Sequence, residues 1–389
     1  MNEHQISLLS GARIVTPSGI LNNAWLEVAK GRITRIGRDN PPREQSAAGP
    51  THVDLDGAWV VAGFIDVHTH GGGGATIYSG VGSDVRTVAA THLAHGTTTM
   101  LASVASMNLP AMERAADTIA AAIEDATAPN VEGVHFEGPF LSVECRGAQE
   151  LAALCLPDPA IVRTLRDAAR GYARSMTVAP ELPGALAIIR EGSTSGLTMA
   201  IGHSNATYDE FDAAIGAGAR EVTHLFNGMR RFNHHEAGPA VAALLRSEVV
   251  CELINDGVHV ADPAIRMAFG LAGCDRIAFI TDAMAGAAAP DGEYTSGHRA
   301  VTVQNGVATL LGTQTLAGST LTMDRAFRRA VEVLGIGMVA ASRSASATPA
   351  RLLGLGSDRG TLETGKRADL VVLDPQLAVQ QVMRKGSWV

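Results

Sequence analysis

Cysteine is scarce in this chain. Four residues, Cys145, Cys155, Cys251 and Cys274, are scattered over 389 positions with no CxxC pair, which argues against both a disulfide framework and a zinc-ribbon site. Reduced thiols are expected. Blocks of basic residues are missing as well. The formal net charge is −8 and is spread along the chain, so nothing supplies the electrostatic footprint that nucleic acid or an anionic membrane surface demands. No apolar run is long enough to span a bilayer, and the opening MNEHQISLLS lacks the basic start and long apolar core of a secretion signal. A cytoplasmic location, with neither nucleic acid nor membrane as partner, is the expectation.

What is present points to an α/β protein. Hydrophobic residues make up 46% of the chain, enough to fill a sizeable core. Many of the 42 glycines follow short apolar runs, as at strand-to-loop transitions. From Ile6 to about Val61, and again in ADLVVLD and VMRKGSWV near the end, short β segments alternate with turn signals. Residues 1–62 and 352–389 are therefore expected to form one small discontinuous β-sandwich domain. Between them, residues 63–351 alternate apolar runs with Ala-rich stretches of helical period, such as Met112–Ala126 and Tyr208–Ala217. The runs WVVAGFIDVH, TTTMLAS, VEGVHFEG, SMTVAPE, TMAIGHS, EVTHLF, VVCELIND and RIAFITDA make eight candidate strands. Eight βα units in one domain predict a (β/α)8 TIM barrel; a doubly wound sheet seldom needs so many.

The residues at the ends of these runs carry the chemistry. In a strand the period of two puts His68 and His70 of Asp66-Val67-His68-Thr69-His70 on one side, where both can reach one metal. An isolated HxH is a short motif and means little. Here, however, Glu137, His203, His224 and Asp282 close the third, fifth, sixth and eighth runs, and the C-terminal rim is where barrel enzymes work. Neutral imidazoles with a carboxylate hold a divalent cation, Zn²⁺ first and Fe²⁺ as the alternative, which lowers the pKa of a bound water toward neutrality. Asp282 is read as the general base and then general acid, with a plain ligand role as its alternative. The only lysines are Lys30, Lys366 and Lys385. None lies in the expected barrel, so hydrolases that bridge two metals through a carboxylated lysine match poorly. Glu137 must then serve as the carboxylate ligand.

The motifs Gly63-Phe64-Ile65-Asp66-Val67-His68-Thr69-His70-Gly71, His95-Gly96-Thr97-Thr98, His135-Phe136-Glu137-Gly138-Pro139-Phe140, Gly202-His203-Ser204, Thr223-His224-Leu225-Phe226-Asn227 and Leu316-Ala317-Gly318-Ser319-Thr320-Leu321 span almost the whole chain. With them it resembles the N-acetylglucosamine-6-phosphate deacetylases of the amidohydrolase superfamily. The resemblance implies that Glu137, His203 and His224 hold the main metal, that His68 and His70 hold a second where there are two per subunit, and that Asp282 is the acid/base. It further implies substrate contacts from Asn227, Gly228, His259, Ala148 and Ala317, and a homodimer.

The chain departs from that pattern in two places. Where the family has an HHREPG-like segment whose arginine grips the phosphate, this chain reads Asn233-His234-His235-Glu236-Ala237-Gly238. His235 stands in the arginine position, and a histidine lacks the charged fork that bonds two phosphate oxygens. Either Arg230 or Arg231 on the same loop substitutes, or the substrate has no phosphate. Arg146-Gly147-Ala148-Gln149 ends in glutamine where the family has histidine. The expected reaction is deacetylation of N-acetylglucosamine 6-phosphate; an unphosphorylated or different N-acetyl amino sugar, or an N-acyl amino acid, is the runner-up. A silent scaffold barrel and a nucleobase deaminase are the rivals from other classes. Cys145, His92, His95 and His298 are read as incidental, structural or exposed. Gly71–Gly74 is read as a rim that lets backbone approach the site, and Pro290-Asp291-Gly292 as a turn in a loop over the barrel mouth.

Overall fold

A computed structural model describes residues 7–39, 41, 51–297 and 299–389; His298 lies outside the described residues. Eight parallel strands form one sheet in chain order: β1 (Phe64–Thr69), β2 (Thr97–Ala105), β3 (Val131–Glu137), β4 (Ala173–Val178), β5 (Thr198–Ile201), β6 (Glu221–Val222), β7 (Val250–Ile254) and β8 (Ile277–Ile280). Each corresponds to one of the eight apolar runs. Every residue of β1, β7 and β8 is buried, as near-continuous apolar strands of a parallel sheet should be when both faces are covered. The barrel closes between β8 and β1, where the Asp282 amide donates to the His68 carbonyl at 2.9 Å. The Asp66 carboxylate seals the same seam by accepting from the Thr281 amide at 3.2 Å and hydroxyl at 2.6 Å. A doubly wound open sheet is thereby excluded.

Helices α1 (Gly82–Ala94), α2 (Leu109–Glu124), α3 (Pro159–Ala168), α4 (Ala185–Thr194), α5 (Tyr208–Ala217), α6 (Gly238–Leu245), α7 (Asp262–Ala272) and α8 (Met323–Glu332) follow strands β1 to β8 in turn. Their ends are written locally. Helix α5 begins with a reciprocal capping box between Thr207 and Glu210 and stops at Gly218, whose φ of 118° suits glycine. Helix α2 starts three residues before the periodic stretch, because Asn108 accepts the Ala111 amide and Pro110 fits the first turn. In α8, Met323, Ala326, Phe327 and Ala330 form the buried stripe.

Both termini enter a second, eight-stranded sheet. Leu370–Leu373 pairs antiparallel with Trp59–Ala62, which joins the C-terminal strands to Ser7–Thr16 and its neighbours. Alternate residues face different cores: Leu9, Ile14, Val60, Leu370 and Val372 share one cluster with Ile33 and Met383, while Val15, Val61, Val371 and Leu373 pack onto the barrel. The sheet curls around the first cluster, and the Ile33 amide reaches the Lys366 carbonyl at 2.9 Å.

The segment after β8 corrects one sequence reading. Pro290-Asp291-Gly292 is not the expected turn but a bend that leads into a strand, and the expected mouth loop is an antiparallel meander of Gly292–Ser296, Arg299–Gln304 and Val307–Leu310. Val301, Val303, Ala308 and Leu310 pack with Met284, Ala285 and Ala317. This alternation of apolar residues was present in VTVQNGVATL. It gives the meander a buried face and sets it over the rim.

Candidate active site

The C-terminal ends of the barrel strands bring the six strand-end residues together. His68 lies within β1 and His70 just beyond it; Glu137 ends β3; His203, His224 and Asp282 each lie two residues past β5, β6 and β8. His203, His224 and Asp282 share a positive φ, at 46°, 29° and 47°. Such angles are uncommon in residues with a Cβ and are kept where surrounding structure over-determines them, most often at functional sites. Hydrogen bonds do this here: the Ser204 amide bonds the Gly228 carbonyl, and Asp282 bonds both His68 and Ser319.

Two donor sets result. Glu137, His203 and His224 form one; His68, His70 and Asp282 form the other. The His203 and His224 Nε2 atoms lie 3.1 Å apart, at 3.0 and 3.1 Å from Glu137 Oε1. The His68 and His70 Nε2 atoms are 3.0 Å apart, 3.7 and 3.5 Å from Asp282 Oδ1. Glu137 stands between the sets, with Oε2 3.3 Å from His70 Nε2.

The other ring nitrogens show what these sets are built for. His203 Nδ1 donates to the Cys145 carbonyl at 2.9 Å, His224 Nδ1 to the Asn227 carbonyl at 3.1 Å and His70 Nδ1 to the Ser103 carbonyl at 3.1 Å. His68 Nδ1 donates to Glu252 Oε2 at 3.0 Å. These partners only accept, so in each neutral imidazole the proton is on Nδ1 and the Nε2 lone pair points inward. Four lone pairs and two carboxylates converging in a buried space fit a divalent cation of the Zn²⁺ or Fe²⁺ type, each ligand oriented by a partner behind it.

The charges agree with that reading. Burial alone would raise the Glu137 carboxyl, but with no cation between them protons occupy the facing ring nitrogens, and the charge on His203 and His68 with the Nε2 contacts of His203 and His224 then holds it well below the usual carboxylate range. Burial opposes a charge on His68 and His203, yet Glu252, Glu137 and Asp282 raise the first and Glu137 raises the second. Burial keeps His224 low, and burial with the neighbouring His68 keeps His135 far lower. A cation at these nitrogens competes with protons.

A cavity of about 280 Å³ opens onto both sets. Of the residues read as substrate contacts, Asn227, Gly228, His259, Ala148 and Ala317 line it. His235 and Arg231 do not: both are exposed on the 231–236 segment, away from the cavity lining. Arg230 is turned to the Asn205 carbonyl at 2.8 Å and to Glu236. Gly228 approaches so closely that a Cβ there would lie 2.9 Å from His203 Nδ1, and Gly71, Gly73 and Gly74 donate to carbonyls of Ala283, Ala287 and Ala285 at 2.8 to 2.9 Å. The Cys145 thiol is pushed up to about 11, chiefly by burial and then by Glu181 and Glu144, which leaves it protonated and unreactive. His92 is buried against the Gly71 carbonyl at 2.9 Å, and His95 pairs with Asp324 at 3.3 Å.

Four contributors escape strand-end reasoning. Glu252, in mid-strand β7, accepts from His68 and, at 2.9 Å, from the His224 amide; a carboxylate inside the apolar run VVCELI was its signal. Gln149 donates to Glu137 and accepts from the Ser106 amide at 3.0 Å. Asp256 bonds His259 Nδ1 at 2.7 Å. Arg299, from the meander, lines the cavity; nothing in its local sequence marks it.

Comparison with known proteins agrees with this geometry. The amidohydrolase family model matches residues 59–389. N-acetylglucosamine-6-phosphate deacetylase of Lysinibacillus sphaericus is 32% identical over 87% of this chain and 88% of its own. N-acetylgalactosamine-6-phosphate deacetylase of Escherichia coli O157:H7 is 33% identical over 98% of both. The solved structure of an Asp-to-Ala mutant of N-acetyl-D-glucosamine-6-phosphate deacetylase from Mycobacterium smegmatis, in complex with N-acetyl-D-glucosamine-6-phosphate, superposes with a TM-score of 0.93 at 40% identity, covering 99% of each chain. Strand-end histidines and whole-length likeness lead to one placement: the chain belongs to the amidohydrolase family, in the branch of the N-acetylglucosamine-6-phosphate deacetylases.

Proposed function

We propose that the protein hydrolyses the acetamide of N-acetylglucosamine 6-phosphate to glucosamine 6-phosphate and acetate. The observation that carries this is the convergence of four inward Nε2 lone pairs, Glu137 and Asp282 at one end of a cavity sized for a monosaccharide. Glu137, His203 and His224 would hold the main cation, zinc by the nitrogen and oxygen donor set, and His68 with His70 a second. A divalent cation there supplies Lewis acidity, drawing charge from the amide carbonyl and making a water molecule acidic enough to attack near neutral pH.

The chain's own residues supply the proton path and the orientation. Asp282 takes a proton from the attacking water and gives it to the amide nitrogen as the C–N bond breaks, so that acetate and a free amine leave. Its carboxylate is held at the rim by its own backbone bonds to His68 and Ser319. His259, with Asp256 behind it, contacts the substrate, Ala317 lies beside the acetyl group, and Asn227, Gly228 and Ala148 shape the walls. The resemblance further supports a homodimer and a cytoplasmic setting; no helix among the described residues is long and apolar enough to cross a membrane. Residues 1–62 with 352–389 and residues 63–351 are the two domains of this reading.

Acetate release from N-acetylglucosamine 6-phosphate, from its galactosamine epimer and from N-acetylglucosamine tests the reading. The metal-loaded protein should cleave a phosphorylated sugar, and Asp282→Asn should lower kcat by about 10²- to 10⁴-fold. If no sugar releases acetate, the substrate assignment falls.

A further inference from the structure

An acidic cavity has to receive a phosphorylated sugar. Glu137, Glu150 and Asp282 all line it, and the arginine position of the family's phosphate segment is His235, which lies outside it. Among the described residues lining the cavity, Arg299 is the sole lysine or arginine. We infer that Arg299 anchors the substrate phosphate and sets the preference for phosphorylated over neutral sugars, an inference that rests on the deacetylase reading of the same site.

The bonding of Arg299 supports this assignment. One Nη1 hydrogen goes to the Ala148 carbonyl at 3.1 Å, which fixes the guanidinium against the 147–150 wall. Among the described residues no carboxylate pairs with it, unlike Arg230 with Glu236 or Arg329 with Asp262. Four of its five N–H donors therefore remain for a ligand, and two adjacent ones suffice for a bidentate bond to a phosphate. An unpaired, half-buried cation facing a cavity is placed to pair with an anion that enters it. The apolar face of the meander, Val301 and Val303 against Met284 and Ala317, holds its strand in place, so the side chain is presented from the start of the meander's central strand. The contact lies away from the reacting amide, so it contributes binding to ground and transition states alike and should appear in KM.

The test measures kcat and KM on N-acetylglucosamine 6-phosphate and N-acetylglucosamine for wild type, Arg299→Gln and Arg299→Lys. It also measures calorimetric binding of glucosamine 6-phosphate and of glucosamine, which needs no turnover. Arg299→Gln should lower the preference for the phosphorylated sugar by about 10- to 150-fold, mainly through KM, and weaken glucosamine 6-phosphate binding by a similar factor. Arg299→Lys should recover part of both, since a charge without the fork remains. An unchanged preference, an equal loss on both sugars, or undiminished glucosamine 6-phosphate binding by Arg299→Gln overturns the inference and assigns the phosphate to another group, such as the exposed 231–236 segment of a second copy. Wild type that binds glucosamine 6-phosphate through Arg299 yet releases no acetate would instead overturn the deacetylase reading alone.

Discussion

Replacing Glu252 with leucine removes a residue that touches neither substrate nor the cavity, yet the structure assigns it a double duty. Its Oε2 accepts the His68 Nδ1 proton at 3.0 Å and the His224 amide at 2.9 Å, and the residue is 1% exposed. Glu252→Leu keeps much of the volume and leaves both buried donors without an acceptor. Each orphaned donor costs about 1–3 kcal/mol, so the loss is about 2–6 kcal/mol. For a chain of this length that amounts to a fall in Tm of about 2–7 °C. Freed from Glu252, the His68 ring no longer has its proton pinned to Nδ1, and losing such an orienting partner weakens metal binding by about 10- to 100-fold, or about 1.4–2.7 kcal/mol. Chelator competition reads the metal affinity and calorimetry the Tm. Glu252→Gln, whose carbonyl still accepts, should recover most of both. A Glu252→Leu protein with wild-type metal affinity would refute the positioning argument, and so would a Glu252→Gln protein as impaired as the leucine variant.

Two further substitutions test the site from other directions. Gly228→Ala forces a Cβ to within 2.9 Å of His203 Nδ1 at a residue with φ of 56°, so His203 should be displaced and metal affinity should drop at least tenfold; a chelator titration identical to wild type would contradict the assigned packing. Asp256→Asn should change how stability depends on pH. Burial opposes both charges, yet the mutual hydrogen bond holds Asp256 below its ordinary 3.8 and His259 above its ordinary 6.5. The histidine's contribution is complete below 6.5 and is lost as pH rises through its raised native value. The aspartate's is complete above 3.8 and is lost as pH falls through its depressed one. The stability gap between Asp256→Asn and wild type, from denaturant titrations at about pH 5 and about pH 9, should therefore be wider at the lower pH; a gap equal at both would rule the linkage out.

Much of this protein was determined by local sequence. Eight apolar runs separated by helical stretches specify a barrel, because strands of two to nine residues with both faces buried leave a hydrophobic signature in the sequence. The polar residue at the end of each run is legible for the same reason: it marks where the strand leaves the core. That was enough to nominate Glu137, His203, His224, His68, His70 and Asp282 for one site. Tertiary structure decided the rest, through contacts that no local pattern encodes. Whether an imidazole turns Nε2 or Nδ1 inward depends on a carbonyl or carboxylate up to 184 positions away. Arg231 and Arg299 are equally charged and equally unremarkable in their local sequence, yet one faces solvent and the other the cavity, because only the closed barrel and the meander folded over its rim define an inside.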